Sequence, residues 1–490
     1  MASQAVLLLA LSLVVRAPSF RRPFWSPDEG YLATEALMLR HGGRMYQDVV
    51  DRKPPLLPWL YEACFAAAGP RGLLLVRLLA VAALALTAVF TARLAARTLG
   101  TWAALPAGVL TVAASAALPA PDAMAATFEI FMLPATAAAM HFGVRGHWLA
   151  AGLAVSVATL TKQVGLAPLL PLALHAVTGR HRLRDIAALL AGAAAMPAGC
   201  ALALGARRFV FWMFLSSGSY ATSPPGIRPV AVHALGNLAS LFTAFAPVVA
   251  VVMTAAWHRR RPLFPSPRAG AGRGRKTAAV GTDRMLGLWL FASACGVTVG
   301  FHFYGHYFLQ LAPPLVLLGL RAVDLACRAS VVGRPHAAAV AAGCALAVAM
   351  GWSTTAVRAE PPLMDKTLAV AAAVDAYSAP GERVFLWGMH PEVYWLAGRQ
   401  PASRYLTAGL LTNFSGGGNV HRVGAAYAVP GAWQVLRHEL AAHPPCLLVD
   451  DSAGTPYPLA DYPQLRGLLA HGFREKAVVH GARIYRRTGC

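Results

Sequence analysis

The sequence predicts a polytopic α-helical membrane protein that carries a small α/β domain after its last span. Three observations lead there. Of 490 residues, 57% are hydrophobic and only 13% are charged, and the mean hydropathy is +0.51, well outside soluble globular composition. Apolar runs recur at lengths approaching the ~20 residues that cross a bilayer. From residue 357 onward the apolar runs give way to mixed polar and apolar sequence.

The first span is expected at 4–20, uncleaved, because no basic leader region or small-residue cleavage site accompanies it. Ten more follow at 72–92, 101–119, 124–142, 147–161, 164–178, 185–206, 229–256, 286–301, 306–326 and 336–356, about eleven in all. The net charge of +22 would suggest a nucleic-acid partner in a soluble protein. Here much of it falls in short loops, so a nucleic-acid partner is not expected. With the N-terminus inside, the inner loops carry Arg93 and Arg97, then Arg145, then Arg180, Arg182 and Arg184, then the very basic segment 258–284, then Arg321, Arg328 and Arg334. Arg21 and Arg22 run against this pattern in a long outer loop. A multi-pass protein with a cytoplasmic N-terminus and an extracytoplasmic C-terminal domain follows, and the Ala/Arg/Gly-rich composition suggests a bacterial plasma membrane.

The run Leu56–Gly69 is too short to span and contains Glu62, so it is expected to lie at the interface or re-enter. The first outer loop then occupies 21–71, between the first two spans of a membrane unit at 1–356. In the C-terminal region, 357–490, RVFLWG (383–388) and CLLVDD (446–451) read as buried strands and KAVVHGARIYRR (476–487) as a hairpin. Helices are expected at 430–443 and 461–471. The seven cysteines are scattered without metal-type spacing, so no disulfide framework is expected.

The polar stretch Ser26–Trp59 holds the densest chemistry. Ser26-Pro27-Asp28-Glu29 has the spacing of a helix capping box, and a cap also holds a carboxylate rigidly at the membrane surface. Lys53 precedes two prolines on a stiff corner, as an interfacial anchor or a phosphate contact. Asp122 and Glu129 are two helical turns apart and share a face, with Glu129 just inside the hydrocarbon. Lys162-Gln163 ends the fifth span, and His302, Tyr304, His306 and Tyr307 cluster at outer span ends. His438-Glu439-Leu440-Ala441-Ala442-His443 matches a zinc-peptidase spacing, but Pro444 and Pro445 end that helix at once and no third ligand follows, so it reads as chance.

Taken together, PDEGYLATEALMLRHGGRMYQDVVDRKPPLLPWLY (27–61), TFEIFMLP (127–134), TLTKQVGL (159–166), GHYFLQLAPPL (305–315) and WGMHPEVYWLAGRQPASRY (387–405) resemble the GT-C membrane glycosyltransferases. The resemblance is to family 39, the protein O-mannosyltransferase-like group that includes lipid A aminoarabinose transferases. It implies a polyprenyl-phosphate sugar donor and a lipid, polysaccharide or protein acceptor, with membrane lipids around both. On the matched motif, the catalytic carboxylate falls on Asp28, beside Glu29, with Asp122 as a second outer-face acid and Lys53 near the donor phosphate. Tyr46, Asp48, Glu129, Lys162, Gln163, His306 and Tyr307 complete the expected substrate-binding set. Where aminoarabinose transferases have Glu-Lys-Pro, this chain has Arg52-Lys53-Pro54. No residue is assigned as a metal ligand and no cofactor is required, although a divalent metal stays open. Inversion at the sugar is implied by the family alone. The competing class is a lipid or saccharide transporter, which should carry its charges near the bilayer midplane; here they gather at span ends.

Overall fold

The computed structural model describes residues 2–216, 226–257, 273–328, 333–361, 363–414, 421–470 and 472–490. Of the basic segment 258–284, residues 258–272 lie outside these, as do 217–225 of the outer loop at 207–228. Every expected span is occupied by helix: α1 (Ala2–Arg16), α4 (Gly72–Thr98), α5 (Ala104–Ala116), α7 (Phe128–Val144), α8 (Trp148–Thr161), α9 (Leu169–Val177), α10 (Arg182–Leu204), α11 (Ile227–Trp257), α12 (Arg273–Thr298), α13 (Ala312–Cys327) and α14 (Arg334–Arg358). Among the described residues, seven helical stretches are long and apolar enough to cross a bilayer, and four shorter apolar ones accompany them. Leu78, Leu86, Val249 and Met253 are at least half exposed on these helices, as side chains facing lipid tails would be.

Between α1 and α4 lie α2 (Pro27–Arg40) and α3 (Leu56–Ala68), and a short α6 (Ala120–Met124) precedes α7. The Ser26 hydroxyl caps α2 by accepting from the Asp28 N–H at 3.2 Å. The second half of the expected box is displaced by one residue. Glu29 reaches back to the Trp25 N–H at 2.6 Å instead of to Ser26, because its carboxylate is drawn inward to Arg77.

After α14 comes a five-stranded sheet in the order β2-β1-β3-β5-β4. Its strands are β1 (Arg383–Trp387), β2 (Gln400–Pro401), β3 (Leu447–Asp450), β4 (Phe473–Val479) and β5 (Ala482–Arg487). The first three are mutually parallel, while β5 runs antiparallel to both β3 and β4. Continuous apolar runs suit β1 and β3, which are covered on both faces. Helices Ala432–Ala442 and Pro463–Ala470 fall where the sequence places them. Met364–Tyr377 and Glu392–Ala397 are additional helices; their alanine-rich or short apolar runs carry no clear period. One expectation is corrected. Cys446 and Cys490 form a disulfide across 44 residues, because the antiparallel return of β5 brings the C-terminal residue beside the start of β3.

The sheet is not separate from the first outer loop. Tyr31 and Met38 of α2 pack against the core of Val370, Val384, Leu386 and Tyr394 on one face. Met45, Tyr46, Val49 and Val50 join the core of Phe385, Trp387 and Leu448 on the other. Gly30 approaches the C-terminal region closely, since a Cβ there would come within 2.2 Å of the Glu392 Cβ. Four residues on, the Thr34 hydroxyl donates to the Pro391 carbonyl at 2.8 Å. Gly30→Ala is therefore expected to cost about 1–3 kcal/mol by overpacking, read as a lowered Tm. An unchanged Tm would mean that this contact yields freely.

Candidate active site

The N-terminal turn of α2 aims Asp28 toward the corner at Lys53, whose Nζ stands 3.2 Å from Asp28 Oδ1 with both side chains about one-third exposed. The corner is fixed from behind. Tyr46, in a left-handed backbone conformation (φ 64), is buried and donates its hydroxyl to the Lys53 carbonyl at 2.8 Å. Gln163 Nε2 donates to the Arg52 carbonyl at 2.7 Å and the Met213 carbonyl at 2.8 Å. Lys53 Nζ also lies 4.4 Å from the centre of the Phe128 ring, the residue before Glu129. This places the lysine between the outer loop and α7.

A second charged group adjoins the first. Glu129, fully buried at the start of α7, is ion-paired with Lys162 at the end of α8, and Lys162 Nζ sits 4.0 Å over the Tyr307 ring. His306 Nδ1 contacts Asp122 Oδ1 at 2.5 Å, and the His306 N–H donates to the same oxygen at 3.0 Å. His306 Nε2 is 4.0 Å from Glu129, and its ring meets Tyr307 edge-on at 4.8 Å. Gly305 makes room for this, since a Cβ there would lie 2.5 Å from Asp122 Oδ2. Two carboxylates, a lysine and a histidine thus share one alternating network.

Burial pushes the Asp28 carboxyl upward, but the charges of Lys53, His306 and Lys162 outweigh it and hold the group below the usual carboxylate value. Asp28 is therefore ionised at neutral pH.

Two expected site residues lie apart from this cluster. Glu29 is fully buried and faces away from the cluster: it pairs with Arg77 at 2.9 Å and accepts from the Trp25 and Ala126 N–H groups at 2.6 and 2.8 Å. Its contacts close the turn before α2 and tie α2 to α4 and to the extended link before α7. Asp48 closes its own turn by accepting from the Arg44 N–H at 3.0 Å and makes no observed contact with the cluster. The peptidase-like spacing is likewise occupied: Glu439 accepts from the Ser403 hydroxyl at 2.7 Å and pairs with Arg404.

Sequence reasoning missed Arg77, Arg16, Glu35 and Asp51. Buried Arg16 donates to the carbonyls of Ala123, Met124 and Ala125 at 2.6, 2.9 and 3.0 Å. Tyr61 donates to that of Ala126 at 2.7 Å. The link between Asp122 and Glu129 is thereby pinned. A lone arginine inside an apolar run was the available signal for Arg77, by the same reasoning that singled out Glu129.

Glu35 lies two turns beyond Asp28, fully buried, with neither oxygen hydrogen-bonded. Burial, then the neighbouring Asp51, pushes its carboxyl well above the usual range. The folded state therefore holds this proton more tightly than the unfolded chain. Stability from it is full below the unfolded carboxyl value and declines as pH rises through the folded one. Glu35→Gln is expected to shrink the fall in Tm as pH rises above the usual carboxylate range. An unchanged slope would place the burden on Asp51.

Among the described residues, the one group of three His, Cys, Asp or Glu side chains close enough to hold a metal is Glu382, Cys446 and Cys490. Its two thiols are joined in the disulfide, leaving a single carboxylate ligand.

Residues 52–201 match the family model described as dolichyl-phosphate-mannose-protein mannosyltransferase. No curated protein matches the sequence. The fold is similar to that of ArnT from Cupriavidus metallidurans bound to undecaprenyl phosphate, with TM-score 0.60 and 17% identity over 99% of this chain and 98% of that one. The apo state of the same protein gives TM-score 0.58 at 17% identity, covering 99% of this chain and 98% of that one. The Archaeoglobus fulgidus oligosaccharyltransferase, in complex with zinc and sulfate, gives TM-score 0.54 at 13% identity, covering 99% of this chain and 73% of that one. The ArnT likeness spans the membrane helices and the C-terminal sheet alike.

Proposed function

We propose that this chain, a membrane protein with the GT-C glycosyltransferase fold, moves a sugar from a polyprenyl-phosphate donor to an acceptor hydroxyl at the extracytoplasmic face. The observation that carries the reading is the Asp28–Lys53 pair at 3.2 Å, set against the Glu129–Lys162 and Asp122–His306 pairs. A fold likeness to a protein bound to undecaprenyl phosphate and a mannosyltransferase family match over 52–201 support the donor class.

The chemistry follows from the charges. The acceptor oxygen attacks the anomeric carbon while its proton passes to the Asp28 carboxylate, which is ionised and partly exposed. The bond from that carbon to the phosphate oxygen breaks, and its electron pair leaves with the phosphate. Lys53 is the cation placed to receive that charge, with Lys162 behind it. One displacement inverts the anomeric centre. A donor already dissolved in the membrane needs no nucleotide-binding domain.

An extracytoplasmic site is supported by two independent features. Arginines concentrate at the opposite ends of the helices, and the C-terminal domain holds a disulfide, which persists outside the reducing cytosol. The purified chain, given radiolabelled polyprenyl-phosphate sugars and an envelope extract, is expected to move label onto the acceptor. Binding of donors without turnover of any would overturn the reading in favour of a lipid carrier.

A further inference from the structure

At the far end of the helices from this site, α4 and α7 enclose an open pocket of about 480 Å³ lined by Arg93, Ala96, Arg97, His141 and Arg145. Glu129 and Arg145 are sixteen residues apart in or at the end of one helix, which separates the two surfaces by about 24 Å. The pocket therefore opens at headgroup level in the other leaflet.

Three arginines line it, and none has an acidic partner among the described residues. The contrast with the other basic cluster at this face is informative. There Arg321, Arg328 and Arg334 all close on Asp324 at 2.7–2.9 Å, so that cluster supplies its own counter-charge. In the pocket His141 is 94% buried, with its Nδ1 unsatisfied. Its ring is set by Phe90 at 5.7 Å, and the Arg93 guanidinium lies 5.9 Å over that same Phe90 ring. Three arginines with no acidic partner among the described residues, lining one open pocket, are complementary to one kind of group: an anion with several acceptor oxygens.

We propose that this pocket binds a phosphate group, supplied by the headgroup of an anionic phospholipid in the leaflet opposite the transfer site. Basic pockets between helices at this depth suit such headgroups. Arg93, Arg97 and Arg145 take the phosphate oxygens, while buried His141 lines the pocket beside them. The inference is independent of the transfer chemistry.

The test uses the full chain in nanodiscs of phosphatidylcholine doped with phosphatidylglycerol, with retained lipid counted by native mass spectrometry. Wild type is expected to retain phosphatidylglycerol preferentially. Arg→Gln at 93, 97 and 145 should weaken that preference about fivefold each, and on the order of a hundredfold together. Added inorganic phosphate that leaves the lipid in place supports the lipid source; phosphate that displaces it keeps the phosphate site and assigns its source to solute. The triple Arg→Lys variant keeps the charge and should keep most of the preference, which separates binding from misfolding. Equal retention of the two lipids by wild type, or equal preference in wild type and a folded triple Gln variant, would overturn the proposal.

Discussion

Asp28→Asn is expected to lower sugar transfer about 10²- to 10⁴-fold while leaving the fold and donor binding intact. Asparagine keeps the shape of the side chain and can still accept from its surroundings, but it cannot take the acceptor proton at neutral pH. Asp28 is tied to the fold mainly through Lys53, at 3.2 Å and one-third exposed, so losing its charge removes a weak ion pair and not a buried one. The cap survives because it uses the Asp28 N–H, not its carboxylate. The measurement is initial rate against donor concentration, with Tm as the control. A fall in kcat at constant donor binding assigns the base. Equal rates in both proteins would leave the residue as part of a cap and move the base elsewhere in the cluster.

Arg77→Met is expected to produce the largest loss of stability, about 3–5 kcal/mol. Arg77 and Glu29 are both essentially buried, 2.9 Å apart, and Arg77 also donates to the Arg22 carbonyl at 2.7 Å. Removing the arginine leaves a carboxylate inside the protein without its counter-charge, whereas removing both leaves no uncompensated charge, only a packing defect and the backbone groups that lose a partner. The double variant Arg77→Met/Glu29→Gln should therefore recover much of the loss. Thermal unfolding in one detergent, across wild type and the three variants, reads the cycle. If the losses of the two single variants simply add, the pair is not the unit described here.

What could be read in advance divides along physical lines. Residues recognisable by their immediate surroundings were legible: Asp28 at a helix start, Lys53 at a proline corner, Glu129 and Lys162 at the ends of apolar runs. The strands RVFLWG and CLLVDD were legible because a segment buried on both faces must be apolar throughout. Residues defined by distant partners were not. Arg77 finds Glu29 48 residues away, Arg16 reaches carbonyls more than a hundred residues on, and Cys446 meets Cys490 only because two strands run antiparallel. Glu29 and Asp48 were over-read for the converse reason, since an acid beside a candidate base looks the same whether it turns toward substrate or toward an arginine. Glu35 and Asp51 sit in a polar loop that reads as solvated, whereas Tyr31, Met38, Val49 and Val50 around them are covered by the C-terminal sheet.

That covering bears on modularity. The helix bearing Asp28 is gripped on one side by the membrane helices through Glu29 and Arg77. On another it meets the C-terminal sheet through Gly30, Tyr31 and Thr34, and the following loop completes the second core of that sheet. A cut near residue 357 therefore does not release an independent unit. Chimaeras that exchange acceptor preference between relatives will have to transplant residues 27–50 together with the sheet, and a screen that shuffles the C-terminal region alone will recover mostly folding failures.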